Sequence, residues 1–364
     1  MSALVHQPLI AGGRYAVVSG GDCAVLPCVV VDWQGVSHPI PHVFASIVAT
    51  DPVRPRVFVQ TAAGAIDAVD IETGVVGSMF SASLLVSGSC RYAFSAARLF
   101  CLETSSASSA RVLSTSGAPG EAPQVVGSVA SRPFGSYPWL VTPDGSRLVA
   151  GGPGTGSEVL VLTYVATGAT LAVAVPSVQD VAWDDFNQRL LVMPAAHLGH
   201  AFTSDLAYLG SASFPFTATA LSVSPATGRL YVRGLFAQSA GYGDAYTTAF
   251  DSGSYAPLTP TVHTQGFGGA PRLTVLSPPG APRDVAAVVN GRDVAVTWVN
   301  VGAAAAFVVD VGVATGQTVL TIPLSWQSQA VFATVPPGTY YLRLRGVNAF
   351  GTGRPSAEVR VVVP

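Results

Sequence analysis

Two histidines and an aspartate in one short segment are the residues most open to a chemical reading. His197 and His200 stand three apart in AAHLGHAFTSD, with Asp205 five residues further on. Imidazole and carboxylate are both zinc ligands, but a closed site needs four, so a second segment would have to supply the rest. An exposed loop with two ordinary histidines needs no such partner, and no metal is expected here. A later segment, LFAQSAGYGD, groups Gln238, Tyr242 and Asp244, side chains suited to hydrogen-bonding a ligand without reacting with it. His38 and His42 sit in the Pro-rich VSHPIPH and read as surface residues.

Nucleophilic catalysis has less support. No serine occupies a G-x-S-x-G elbow. Asp184-Asp185 is the one adjacent carboxylate pair in a repeat turn, and it reads as turn chemistry rather than as an acid and a base. The glycine-rich run Gly151 to Gly156 precedes a strand instead of a helix, so it lacks the setting of a phosphate cradle. No cofactor is expected.

The four cysteines fall in two local pairs, Cys23 with Cys28 and Cys90 with Cys101. If Phe94 and Ala97 close a tight turn, Cys90 faces Cys101. Cross-strand Cβ atoms are then about 4.5–5.5 Å apart, near enough for a disulfide after slight adjustment. Both pairs are expected to be oxidised, with four buried thiols as the alternative. Disulfides belong to oxidising compartments, so the protein is expected outside the cell or on its surface. MSALVHQPLI itself lacks the basic start and long apolar run of a signal peptide.

Composition bounds the partners. Hydrophobic residues make up 49% of the chain and charged residues 10%, with 38 Gly and 27 Pro, which is turn-rich β-structure rather than disorder. Every one of the 18 basic residues is Arg, they are scattered singly, and net charge is −2. No stripe tracks a phosphate backbone, which argues against nucleic acid. A mean hydropathy of +0.46 points to self-association through uncharged surface. The run Gly302 to Phe307, GAAAAF, reads either as a strand edge that could accept a neighbour or as a small-residue turn leading into a core strand. The apolar stretch Val159 to Pro176 is interrupted by Thr163, Gly168 and Thr170 and reads as a buried hairpin, not a membrane span.

Self-similarity organises the larger part of the chain. ATDPVRPRVFV, LVTPDGSRLVA, AWDDFNQRLLV and SVSPATGRLYV share a short apolar strand, a turn, then Arg and a second apolar strand. Asp51, Thr142, Asp184 and Ser224 each stand five before the Arg, where a turn-starting polar residue belongs. Weaker copies begin at Arg14 and Arg98, and a further one at Arg272 could instead add a closing strand. The longer step after Arg98 holds TSSASSARVLSTSGAPGEAP, Thr104 to Pro123, expected as an exposed loop or outer hairpin. Third strands such as AIDAVDIETG and VLVLTYVATG follow. The pattern resembles the YVTN-type repeat of bacterial β-propellers, in which four strands form one blade. Six full copies argue for six blades, with seven as the alternative. In such a fold the loops joining second to third strands open on one face, which places His197, His200, Gln238, Tyr242 and Asp244 among candidate ligand contacts.

The last quarter differs. Tyr340, Leu342 and Leu344 alternate with Tyr341, Arg343 and Arg345 after a Pro-Gly turn, and Val294, Val296 and Trp298 repeat the period of two. This resembles a fibronectin type III module, an immunoglobulin-like β-sandwich. Trp298 then matches the core tryptophan, Tyr340 the tyrosine corner and Asn348 the asparagine closing the strand, while Gly346 replaces the usual alanine. The expected organisation is a β-propeller over 1–276, a Pro/Gly linker over 277–281 and the module over 282–364. The chain is therefore expected to be all-β and exported. Its expected role is non-enzymatic binding or adhesion, for a glycan or protein ligand on the propeller face. A self-assembling structural subunit is the alternative, and a propeller lyase, lactonase or glycosidase rests on fold analogy alone.

Overall fold

The structure, a computed structural model, describes residues 15–364 apart from 20–28, 33–36, 39, 41, 43, 82–85, 104–108, 119–120, 133–134, 186, 195–197, 215–217, 225–228, 236–244, 252–253, 259–261, 265–271, 277 and 301–302. Among the described residues every regular element is a β-strand.

Each sequence repeat folds as one antiparallel sheet. The first holds β1 (Tyr15–Ser19), β2 (Val29–Asp32) and β3 (Ser37–His38), and the second β4 (Ser46–Asp51), β5 (Arg56–Gln60), β6 (Ile66–Asp70) and β7 (Val76–Phe80). The third holds β8 (Val86–Ala93), β9 (Arg98–Glu103), β10 (Ser109–Thr115), β11 (Gln124–Arg132) and the two-residue β12 (Gly135–Ser136). The fourth is β13 (Trp139–Val141), β14 (Arg147–Pro153), β15 (Glu158–Tyr164) and β16 (Thr170–Val175). The fifth is β17 (Asp180–Asp184), β18 (Arg189–Met193), β19 (Leu198–Phe202) and β20 (Tyr208–Ser213). The sixth is β21 (Ala218–Ser224), β22 (Arg229–Leu235), β23 (Ala245–Asp251) and β24 (Val262–Thr264). β25 (Arg272–Leu276) then returns to pair antiparallel with β1, Val17 opposite Thr274. First strands of successive sheets lie side by side, β4 by β8, β8 by β13, β13 by β17, β17 by β21 and β21 by β25. That arrangement is propeller-like.

The residue after each repeat Arg explains the periodicity. Val57, Leu99, Leu148, Leu190 and Leu230 all lie on second strands and are at most 1% exposed. Burying such a side chain contributes about 1.5–3 kcal/mol. The Arg itself straddles the turn: Arg56 bonds Asp51 and Arg189 bonds Asp184, the residue five before in each case. Thr142 does the same duty through its hydroxyl, which accepts from the Arg147 amide at 3.1 Å.

Of the two readings of Arg272, the structure has the closing strand: β25 takes the first-strand place beside β1, which completes the opening sheet. Other expectations are corrected. Within Thr104 to Pro123, Ser109–Thr115 is the third strand of its sheet, with Val112 and Leu113 buried, so the extra length falls in the β10–β11 connection and the long β11. Val159 to Pro176 does form the β15–β16 hairpin, but β16 is largely exposed because it is the outermost strand. No helix among the described residues is long and apolar enough to cross a membrane. The run ending at Phe307 offers no free edge. Ala303 and Ala304 are buried, Phe307 is fully buried against Trp298 at 5.5 Å, and its strand is paired on both sides.

The C-terminal strands are β26 (Arg283–Asn290), β27 (Asp293–Val299), β28 (Ala306–Gly312), β29 (Leu320–Leu324), β30 (Gln329–Phe332), β31 (Gly338–Asn348), β32 (Gly351–Thr352) and β33 (Val359–Val363). They make two sheets, β26-β27-β30 and β29-β28-β31 with β32 and β33 also on β31. Alternate residues of both enclose one core of Val296, Trp298, Phe307, Val309, Leu344 and Val361. Buried Asp310 ties three strands by accepting from Thr321 at 2.9 Å and from Arg345 Nε at 2.6 Å.

Candidate functional site

The first strands of five sheets, β4, β8, β13, β17 and β21, border one cavity of about 220 Å³. Each is hydrogen-bonded as a strand on one side only, to its own second strand. The other edge has no strand partner, which leaves its backbone groups to bond side chains or a ligand, the property that makes strand edges recognition surfaces. The lining runs from mid-strand, at Val48, Cys90, Val181 and Leu221, to the first turn of each sheet, at Pro52, Phe94, Pro143 and Asp185.

Some of those inward groups are already used to join neighbouring sheets. Arg91, half-buried on β8, donates from Nε to the Trp139 carbonyl at 2.9 Å and from Nη1 to the Cys90 carbonyl at 2.7 Å. Its guanidinium carbon sits 5.0 Å from the centre of the Trp139 ring. A cation held by two carbonyls and an indole face is pre-oriented, so little freedom is lost when it meets an anionic or carbonyl oxygen. Asp180 makes a second joint: its buried carboxylate accepts from the Leu221 amide of the next first strand at 2.8 Å.

The walls are mixed. Asp185 is buried, and its carboxylate accepts from Gln188 at 3.1 Å. Tyr92 accepts from Arg56 at 2.6 Å, and burial, with Asp51 nearby, pushes its phenol up to about 12. Trp183 adds a large ring to those of Tyr92 and Phe94, its indole N–H without a protein partner among the described residues. Among the described lining there is one carboxyl, one hydroxyl of threonine type at Thr50, and no imidazole or free thiol. Cys90 is bonded to Cys101, directly opposite it on β9, with Phe94 and Ala97 closing the hairpin as expected. Such a lining can hold an amphipathic ligand; it does not assemble a nucleophile with its base.

Of the ligand contacts put forward from sequence, only His200 is described, and it does not line the cavity. His197, Gln238, Tyr242 and Asp244 lie outside the described residues, as do Cys23 and Cys28. His200 is on β19, a third strand, not in a loop; its ring lies 5.6 Å from Tyr208 and 6.4 Å from Phe202. Asp205 sits in the β19–β20 turn, paired with Arg147 at 3.3 Å and accepting from Tyr164 at 3.2 Å. The groups at the cavity were hidden in sequence because they are the apolar stretches before each turn. Their one signal was position, immediately ahead of Asp51, Thr142 and Asp184.

No family model and no curated protein matches the chain. Among solved structures, one titled as the nidogen/laminin complex aligns over 72% of this chain and 98% of its own, at 13% identity and TM-score 0.49. TolB from Acinetobacter baumannii aligns over 76% of this chain and 71% of its own, at 13% identity and TM-score 0.48. A structure titled FN3tt mut aligns over 22% of this chain and 88% of its own, at 18% identity and TM-score 0.19.

Proposed function

We propose that the chain is an exported six-bladed β-propeller followed by a fibronectin type III-like module, and that it is a non-enzymatic binding protein. Six sheets in series, with β25 on β1, support the blade count. For the module, the support is buried Trp298 and the Tyr340 hydroxyl donating to the Pro336 carbonyl at 3.0 Å, the bond that defines a tyrosine corner. The buried Cys90–Cys101 disulfide supports an oxidising location.

The observation that carries the binding reading is the cavity on the first strands. Its aromatic rings, one braced cation and inward backbone edges suit a compact ligand with an apolar face and oxygen atoms, such as a terminal sugar or a protein loop. A glycan and peptide array probed with the full chain tests this. A ligand retained by wild type should be lost by Arg91→Ala and Trp183→Ala and kept by Val331→Ser, whose site is 68% exposed and far along the chain. Equal retention by all three variants overturns the cavity as the site.

A self-assembling subunit is the second reading, because the fourth strands β7, β16 and β20 carry no charged residue and expose Val76, Leu171, Tyr208 and Leu209. Light scattering across concentration and salt decides it; a constant monomer mass removes this reading.

A further inference from the structure

The C-terminal sheets are fixed to the rest of the chain at two separate places. One is the link itself. A Cβ on Gly353 would lie 2.1 Å from the Pro279 carbonyl oxygen, and one on Gly346 would lie 2.8 Å from the Pro279 Cβ. Both glycines therefore mark where the Pro278-Pro279 link is pressed against β31 and the segment after β32. This also accounts for Gly346 standing where a fibronectin type III module has alanine.

The second place is the turn between β31 and β32. The Asn348 side chain shapes it, accepting from the Phe350 amide at 2.8 Å. Phe350 points away from its own core: at 8% exposed, it packs in a cluster with Val30, Ile47, Val57, Val59 and Val69. Beside it, the Ala349 amide donates to the Val53 carbonyl at 3.2 Å. Val53 belongs to the β4–β5 turn, and its own amide donates to Asp51 at 2.9 Å. The peptide on either side of Val53 is thus held, from within by Asp51 and from outside by Ala349. Pro52, its neighbour, is buried and lines the inner cavity.

We infer that Phe350 is a positioning residue for the cavity: through it the C-terminal sheets hold the β4–β5 turn where Pro52 and Thr50 shape one wall. The β17–β18 turn is built in the same way, Asp184 accepting from the Asn187 amide at 3.1 Å and from Arg189 Nε at 3.1 Å. It serves as the internal control. A general loss of stability loosens both turns; loss of positioning loosens only the first. The inference goes beyond the ligand reading, since it concerns the empty protein and survives even if nothing binds in the cavity.

Hydrogen exchange read by mass spectrometry on the full chain provides the test, with wild type, Phe350→Ala, Phe350→Leu and the exposed control Val331→Ser. In Phe350→Ala, the amides of Val53, Arg54 and Arg56 should exchange about tenfold faster while those of Asn187, Gln188 and Arg189 keep the wild-type rate. Phe350→Leu, which keeps most of the apolar contact, should fall between, and it carries the test if the alanine variant does not fold. Val331→Ser should match wild type. Unchanged exchange at 52–56 in both Phe350 variants overturns the inference, and so does an equal rise in both turns.

Discussion

The Arg56 guanidinium donates to the Tyr92 hydroxyl at 2.6 Å, joining β5 to β8 across the boundary between consecutive sheets. The same cation bonds Asp51 in its own turn at 2.8 Å and lies 5.1 Å from the Phe58 ring centre and 5.3 Å from that of Tyr92. Equivalent arginines repeat the move with other partners. Arg147 reaches Asp205 and Arg189 lies 5.0 Å from the Tyr255 ring, each on the following sheet. The repeat arginine is therefore a peg between neighbouring sheets as well as a turn cap. Arg98 departs from this, bonding Ser114 and Glu121 within its own sheet.

Arg56→Ala leaves Asp51 buried at 1% exposure without its cation, and breaking such a pair costs about 3 kcal/mol. Urea unfolding should show that loss, and Arg56→Lys should recover only part of it because an ammonium lacks the second, Nε bond to Asp51 and the planar group that lies over the Phe58 and Tyr92 rings. A loss below about 1 kcal/mol for Arg56→Ala, the range of exposed pairs, would contradict the peg.

Acid sensitivity follows from carboxyls shifted in opposite directions. Burial pushes the Asp144 carboxyl up, but hydrogen bonds from Thr142 and Ser146 prevail and hold it below the ordinary aspartate value. Asp70 is held low in the same way, Thr73 and Glu72 overcoming burial. Hydrogen bonds from Ser116, with Arg98, hold Glu121 down at about 2. Stability from a lowered group is present above its unfolded value and is lost as pH falls through its folded value. Asp51 runs the other way: burial outweighs Arg56 and raises it, so its share is full below the unfolded value and is lost as pH rises through the folded one. As pH falls below about 4 the shares of Asp144, Asp70 and Glu121 should be lost while that of Asp51 is retained. Carboxyl titration by NMR should place the Asp144 and Asp70 midpoints below the ordinary value and that of Asp51 above it; an Asp51 midpoint below that of Asp144 contradicts the account.

Strand order was legible in the sequence wherever a turn signal preceded Arg, because the turn polar residue and the buried aliphatic after Arg obey a local rule. Asp51–Val57 and Asp184–Leu190 are such cases. The Cys90–Cys101 pairing was legible for the same reason, since a tight turn fixes the register of its own hairpin. The cavity was not. Its groups come from five first strands far apart in sequence, and only long-range packing tells which edge of an apolar strand faces inward. Phe307 misled because a run of alanines reads alike as an open edge and as the entry to a core strand. Phe350 gave no sign of packing outside its own sheets.

The Cys90–Cys101 disulfide closes a short hairpin, and both residues are buried. Replacing both by alanine should lower stability by about 2–4 kcal/mol. Reductant should reach the bond only as the protein unfolds. Intact mass rising by two hydrogens in folded protein under mild reductant would contradict that order of events, provided the rise maps to this pair.

Gly353→Ala tests the packing of the Pro278-Pro279 link. A Cβ there meets backbone, not the end of a flexible side chain, so the link must shift, at a cost of about 1–3 kcal/mol. Gly77→Ala, where nothing lies within 4 Å, should cost well under that. Equal unfolding midpoints for the two variants would show that the link is not pressed against the segment after β32.

The ring of sheets stands or falls on the pairing of β25 with β1, which brings residues more than 250 apart in sequence to adjacent strands. Paired strands place facing Cα atoms within disulfide range. Val17→Cys with Thr274→Cys, opposite one another, should cross-link under mild oxidation in the folded chain and raise the melting temperature. Val17→Cys with Leu276→Cys, two residues out of register, should cross-link far less. Preferential in-register bonding is the result predicted; no cross-link in either variant, or equal yields in both, would contradict the closed ring.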